Sequence, residues 1–202
     1  MATRADWEEG ALAEIAAGGL RSLSIPTLAR SLGVTKGSFY WHFESLDHLI
    51  DASLRKWEEL DREALDELRR VAEPRLRLIA LFVDAMQKRQ AHALYVALSA
   101  SDAPNAAAAL RRINERRLRF LLDAYRELGF TPADARERSM LAYAAYIGAL
   151  HLRNQRSSGL RKNKDVGAFV AHAVETLIPG TRHPDPERSE GEGSQGTKRP
   201  RA

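Results

Sequence analysis

Ser24-Ile-Pro-Thr-Leu-Ala-Arg-Ser-Leu-Gly-Val-Thr-Lys-Gly-Ser-Phe-Tyr-Trp-His-Phe43 reads as two short helices joined by a tight turn. In the first, Ile25, Leu28, Ala29 and Leu32 recur at helical spacing. Ser24 is placed to cap its start, and Pro26 is tolerated in the first turn. Gly33 supplies the positive φ that a sharp helix end requires, and apolar Val34 tucks the turn against a core. Thr35 can cap a second helix whose apolar side is Phe39 and Phe43. Its other side shows Lys36, Gly37, Ser38, Tyr40, Trp41 and His42. The pattern predicts a helix-turn-helix.

The outward residue types suit DNA. Gly37 has no side chain, so the helix start can approach a backbone or base edge closely, where its amides favour phosphate oxygens. Lys36 offers a point charge, and Thr35 and Ser38 can donate or accept. Tyr40, Trp41 and His42 carry polar tips on large bodies, which suits anchoring to a sugar-phosphate strand. An ordinary helical hairpin would account for Leu-Gly-Val alone. It leaves Tyr-Trp-His unexplained, because that run is hard to place in a core.

The run from Leu28 to Phe43 resembles the signature of the TetR family of bacterial transcriptional repressors, and the likeness extends from about Trp7 to Leu54. The resemblance implies an all-α homodimer, with an N-terminal three-helix DNA-binding domain and a C-terminal helical ligand-binding and dimerisation domain. Carried over by position, the DNA contacts fall on Thr35, Lys36, Gly37, Ser38, Tyr40, Trp41 and His42. Two positions depart from the pattern. Ile25 stands where a Ser or Thr phosphate contact is frequent, and Leu46 stands where a phosphate-clamping Lys is frequent. Each departure removes a backbone contact.

Outward from the motif, a helix over about Arg4–Ala17 has Trp7, Ala11, Leu12 and Ile15 as its inner stripe, and Gly18-Gly19 ends it. Ser45 caps a long helix whose stripe runs Leu46, Leu49, Ile50, Leu54, Trp57, Leu60, Ala64, Leu65 and Leu68. Its first turns are expected on the motif and its later turns in the next domain, so one rigid element joins the two. Pro74 starts another helix, and a short segment follows over His92–Ser99. Residues 101–105 read as a loop, Ala106–Leu128 as a helix closed by Gly129, and Thr131-Pro132 as the start of a helix to about Arg156. The inner side expected of that helix is Met140, Leu141, Tyr143, Ala144, Ile147, Gly148 and His151. The last helix covers Asp165–Ile178. The expected division is residues 1–48 for DNA, 49–180 for ligand and dimer, and a disordered tail over 181–202, rich in Pro, Glu, Gly, Arg and Ser.

Composition narrows the function classes. The 202 residues contain no cysteine, which excludes disulfides, thiolate metal sites and cysteine nucleophiles. No signal-peptide pattern or membrane-spanning apolar run occurs, so the expectation is a cytoplasmic protein without membrane contact. The net charge is +4, yet residues 1–50 hold four basic and six acidic side chains. Global basicity therefore says little about DNA, and the motif carries the case. None of the six histidines forms a metal-binding pair, and no phosphate loop or nucleophile elbow occurs. An enzyme, a metal or a cofactor is not expected.

The C-terminal half carries a signal for a cavity. Phe82, Met86, Tyr95, Tyr125, Tyr143 and Tyr146 lie on apolar stripes of separate helices, while Asn114 and Arg117 interrupt the stripe of Leu110, Ile113, Leu118, Leu121 and Tyr125. A polar group facing a core needs a partner, unless Arg117 snorkels to the surface. The expected ligand wall is Trp57, Phe82, Met86, Tyr95, Asn114, Arg117, Leu121, Tyr125, Tyr143 and Ile147. The expected dimer face is Leu141, Ala145, Gly148, Val166, Phe169, Val170, Val174 and Leu177, small residues beside large ones. The expected partners are double-stranded operator DNA, a second copy of the chain and an unidentified small-molecule effector. A constitutive DNA-binding protein without a ligand is the alternative.

Overall fold

The computed structural model describes the backbone of residues 2–87, 89–154 and 163–178, and the side chains of these except 85–87, 89–91, 154 and 163–166. The expected tail over 181–202 lies outside the described residues. Among the described residues every regular element is helical, in the order α1 (Arg4–Gly18), a 3-10 turn (Leu20–Ser22), α2 (Ile25–Ser31), α3 (Lys36–Phe39), α4 (Leu46–Arg69), α5 (Pro74–Gln87), α6 (Arg89–Ser99), α7 (Pro104–Glu127), α8 (Pro132–Asn154) and α9 (Asn163–Leu177).

The helix ends follow local chemistry. Thr3 and Asp6 form a capping box at α1, each side chain accepting from the other's backbone amide at 3.2 and 2.7 Å. Ser24 Oγ accepts from the Thr27 amide at α2, and Ser45 Oγ from the His48 amide at α4. Helix α2 ends in a Schellman turn. The Val34 amide bonds the Ala29 carbonyl at 2.9 Å and the Gly33 amide bonds that of Arg30 at 3.2 Å. Gly33 sits at φ 67° to allow it. Pro104 is the first residue of α7 rather than part of the preceding loop, and the segment before α7 forms a longer helix, starting at Arg89.

One apolar cluster joins the motif to the rest. Trp7, Ile15, Leu28, Phe39, Phe43 and Leu49 pack with Leu94 and Leu98 of α6, Ile113 of α7 and Leu150 of α8. Phe39 meets Trp7 edge-on at 5.4 Å and stacks on Phe43 at 5.6 Å. A second cluster gathers Leu78, Phe82, Leu121, Tyr125, Ala142, Tyr143 and Ile178. Between the two clusters, α4 lies along α7.

Helix α8 departs from its expected facing. Met140, Leu141, Ala144, Gly148 and His151 are exposed, and the buried positions are Ala135, Ser139, Ala142, Tyr143, Ala149 and Leu150. From Met140 to Leu150 this helix is apolar all round, so periodicity could not choose between its two sides. On α9, Phe169 and Val170 are half-buried against the first cluster, and Val174 and Leu177 against the second. Four residues expected at a dimer face therefore serve the chain's own cores. Of the others, Leu141 is 60% exposed, Ala145 is half-buried and Gly148 is exposed. The side chain of Val166 lies outside the described residues.

A Cβ at Gly33 would meet nothing within 4 Å, so its substitution costs backbone strain alone. Gly33→Ala should lower unfolding free energy by about 1–2 kcal/mol in denaturant titration, and Gly33→Asn by less, since Asn tolerates the left-handed region.

Candidate DNA-binding surface and effector cavity

The outward side of the motif is built around Phe39. Burial of Phe39 at the end of α3 and of Phe43 in the turn after it leaves Lys36, Gly37, Tyr40 and Trp41 facing solvent, with Trp41 81% exposed. Regular helix ends at Phe39, and the next turn is held by the His42 and Phe43 amides on the Phe39 carbonyl, at 2.9 and 3.0 Å. Thr35 does not cap α3 with its side chain. The Ser38 amide and Oγ both bond the Thr35 carbonyl instead, at 3.1 and 2.8 Å, and Thr35 remains exposed. His42 is half-buried, and its Nε2 donates to the Ala2 carbonyl at 3.0 Å, so its ring ties the chain start to the motif. At Gly37 an added Cβ would find only Thr35 Oγ1, at 3.8 Å. Nothing within the chain demands glycine there.

A second feature lies between α4, α5, α6, α7 and α8. A cavity of about 350 Å³ is lined by Trp57, Leu60, Asp61, Ala64, Leu65, Leu68, Leu81, Phe82, Asp84, His92, Arg117, Leu121, Ala142, Tyr143 and Tyr146. Of the residues expected there, Trp57, Phe82, Arg117, Leu121 and Tyr143 line it. Tyr95 and Asn114 stand outside the lining: the hydroxyls of Tyr95 and Tyr143 both donate to Asn114 Oδ1, at 3.0 and 2.6 Å. Asn114 thus finds its partners inside the protein. Tyr125 packs in the second core, where its hydroxyl donates to the Leu177 carbonyl at 2.7 Å and burial pushes its pKa up to about 12. Ile147 is half-buried between the two clusters. The side chain of Met86 lies outside the described residues.

The polar end of the cavity is only partly legible in the sequence. Arg117 Nε donates to Asp61 Oδ1 at 2.7 Å, and its Nη1 to the Tyr146 hydroxyl at 3.1 Å. Arg117 therefore does not snorkel. Burial opposes its charge, but the nearby Tyr146 and Asp61 more than offset this and hold it protonated. Asp61 Oδ2 accepts from Arg116 at 3.1 Å, and Arg116 also bonds the Glu58 carbonyl at 2.9 Å. Arg112 grips the Glu58 carboxylate in two bonds of 2.7 and 2.6 Å, and Asn105 donates to Asp51 at 2.9 Å. Asp61 sits next to Leu60 and three residues before Ala64, at a spacing shared with the apolar stripe. That position is the one signal in the sequence that it faces inward.

His92 is buried, with its Nε2 unpartnered, and its ring meets Tyr146 edge-on at 6.2 Å. Burial, then Arg153 and Arg117, lower its pKa to about 4, against the opposing pull of Asp84. Among the described residues no cluster of His, Cys, Asp or Glu could hold a metal, and no helix is long and apolar enough to cross a membrane.

A helix-turn-helix with an outward polar side is joined by one long helix to an all-helical domain with a cavity. Residues 9–52 match the family model of the bacterial regulatory proteins of the tetR family. The chain has the fold of TetR-family transcriptional regulators. A TetR transcriptional regulator from Legionella pneumophila superposes with a TM-score of 0.75 at 14% identity, covering 88% of this chain and 98% of that one. A transcriptional regulator from Saccharomonospora viridis in complex with choline gives 0.67 at 20%, covering 86% and 94%. The transcriptional regulator FadR from Bacillus subtilis in complex with stearoyl-CoA gives 0.66 at 13%, covering 89% and 100%. No curated protein shows significant sequence similarity to this chain.

The depressed His92 pKa makes a stability prediction with a definite sign. The unfolded chain takes up the imidazole proton near pH 6.5 and the folded chain only near pH 4. Its contribution is fully present above pH 6.5 and is lost as pH falls towards 4, by about 2–3 kcal/mol. In His92→Phe, thermal midpoints should therefore fall less steeply between pH 6.5 and 4 than in the parent.

Proposed function

We propose that this protein is a dimeric repressor that leaves its operator when a small molecule occupies the cavity. The observation that carries this reading is helix α4. Its first turns place Leu49 and Ile50 in the core of the motif, and its later turns supply Trp57, Asp61 and Leu65 to the cavity wall. The ion pairs of Glu58 and Asp61 with α7 tie a change in the cavity to a movement of that helix. In this reading residues 1–48 bind DNA, 49–180 sense and dimerise, and the two motifs of a dimer enter successive major grooves about 34–36 Å apart. Release of DNA requires a coupling of only about 1–3 kcal/mol between the two sites. Regulators with this fold have been solved with choline and with stearoyl-CoA, which supports a helical domain of this kind as a ligand receptor.

For DNA contact the reading uses Thr35, Lys36, Gly37, Ser38, Tyr40, Trp41 and His42. The exposure of Tyr40 and Trp41 supports it, since two large aromatic groups left in water need a partner. For the dimer it uses the outer side of α8, where Met140, Leu141 and Leu152 are exposed beside Gly148.

The primary experiment is selection of bound sequences from random duplex DNA by the purified protein. Recovery of a near-palindromic site supports the reading, and recovery of no preferred sequence removes it. With that site, Lys36→Ala should weaken binding and flatten the slope of log affinity against log salt by about one unit. Gly37→Ala should leave the melting temperature unchanged or raised and still weaken DNA binding, because the added methyl group faces outward.

Leu141→Glu should give a folded monomer by light scattering that no longer shifts the operator. Phe169→Glu is a poor test of the same interface, since it introduces a charge against the chain's own core.

A further inference from the structure

The polar end of the cavity holds hydrogen-bond donors beyond those that the bonds of Arg117 to Asp61 and Tyr146 use, and its lining carries the carboxylates of Asp61 and Asp84 beside the Arg117 guanidinium. Two guanidinium groups, Arg116 and Arg117, share the single carboxylate of Asp61. The bonds of Arg117 to Asp61 and Tyr146 use Nε and Nη1, and neither uses Nη2. Tyr146 receives Arg117 at its oxygen, which turns its own O–H proton to another direction. The His92 imidazole, at the same end and nine-tenths buried, has an Nε2 without a partner. Burial, then Arg153 and Arg117, disfavour its protonation, with Asp84 opposing. Apart from Asp84 and Tyr143 the rest of the wall is apolar, with Trp57, Phe82 and Leu121 among its large residues.

We propose that the cavity selects an amphipathic organic carboxylate, with its head on Arg117 and Tyr146 and its body against Trp57, Phe82 and Leu121. The proposal rests on the reading of this cavity as the effector site. A carboxylate reaching Arg117 competes with Asp61, and Arg116 is placed to keep Asp61 neutralised when Arg117 turns to the ligand. A neutral amide of the same shape meets the same donors without charge assistance, which about halves the strength of each bond. An ammonium group cannot accept from the Arg117 and Tyr146 donors, and the Asp61 carboxylate is already held by both arginines.

The test is calorimetric titration of the full chain with two matched sets of compounds. One is decanoate, decanamide and decylamine, and the other is naphthylacetate, naphthylacetamide and naphthylethylamine. In at least one set the carboxylate should bind about tenfold tighter than its amide and its amine. In Arg117→Gln that preference should fall to within about twofold while amide affinity is kept, and Tyr146→Phe should reduce it about threefold. Leu121→Trp, which fills the cavity, should abolish binding of all the compounds. An amide or amine that binds as tightly as the carboxylate overturns the proposal. So does a preference that survives in folded Arg117→Gln, or the absence of saturable binding by both carboxylates. If Arg117→Gln does not fold, Tyr146→Phe and the matched compounds decide. Amides or amines that bind in the cavity and release operator DNA remove the anion and leave the effector site standing. Six inert compounds, with a protein that still binds its operator, remove both.

Discussion

A carboxylate buried between two helices sets the register on which the rest of this protein depends. Asp61 of α4 is shared by Arg116 and Arg117 of α7. Taking such charges out of water costs several kcal/mol each, and the cost is recovered only while the bonds are kept. Sliding α4 along α7 would break them and leave a buried charge without a partner. Glu58 with Arg112, and Asp51 with Asn105, repeat the constraint towards the motif. The contact is therefore fixed by polar pairs along the helix, where apolar packing alone would tolerate small shifts.

That register has a consequence at the other end of α4. Leu49 and Ile50 lie in the same apolar cluster as Trp7, Phe39 and Phe43, so the helix that carries Asp61 also forms the floor beneath the motif. A rigid helix cannot turn at Asp61 without tilting at Leu49. Cavity and motif are thus linked by covalent continuity, and no chain of intermediate contacts is needed. The second core, around Phe82, Leu121 and Tyr125, forms the other side of the cavity and contributes little to the motif. Open space between two packed cores is unusual in proteins, whose interiors otherwise fill to crystal density. Here the polar end is formed by Asp61, Arg117 and Tyr146, whose mutual bonds fix their positions, with His92 beside them.

Much of this is written locally in the chain. Capping residues, the Leu-Gly-Val turn and the alternation of Phe39 and Phe43 with exposed neighbours depend on contacts within a few residues. The motif and most helix boundaries are therefore legible in the order of residues alone. The long stripe from Leu46 to Leu68 likewise predicts one helix serving two regions. Arg117 stands out as a charge within an apolar stripe, and the need of a buried charge for a partner identifies it without naming the partner.

What the sequence determined by itself was therefore the set of helices and the residues that could not face water without cost. Only the tertiary structure decided which of two apolar sides a helix would bury, and which distant residues would meet. Helix α8 is apolar all round from Met140 to Leu150, so Leu141 and Gly148 turn outward only because α7 and α9 cover the opposite side. Tyr95 and Asn114 left the cavity because Tyr143, twenty-nine residues away from Asn114, reached the same oxygen. Asp61 and His92 joined the cavity for a similar reason. Each is one polar residue among several in its helix, and its role comes from groups on other helices that no local periodicity records.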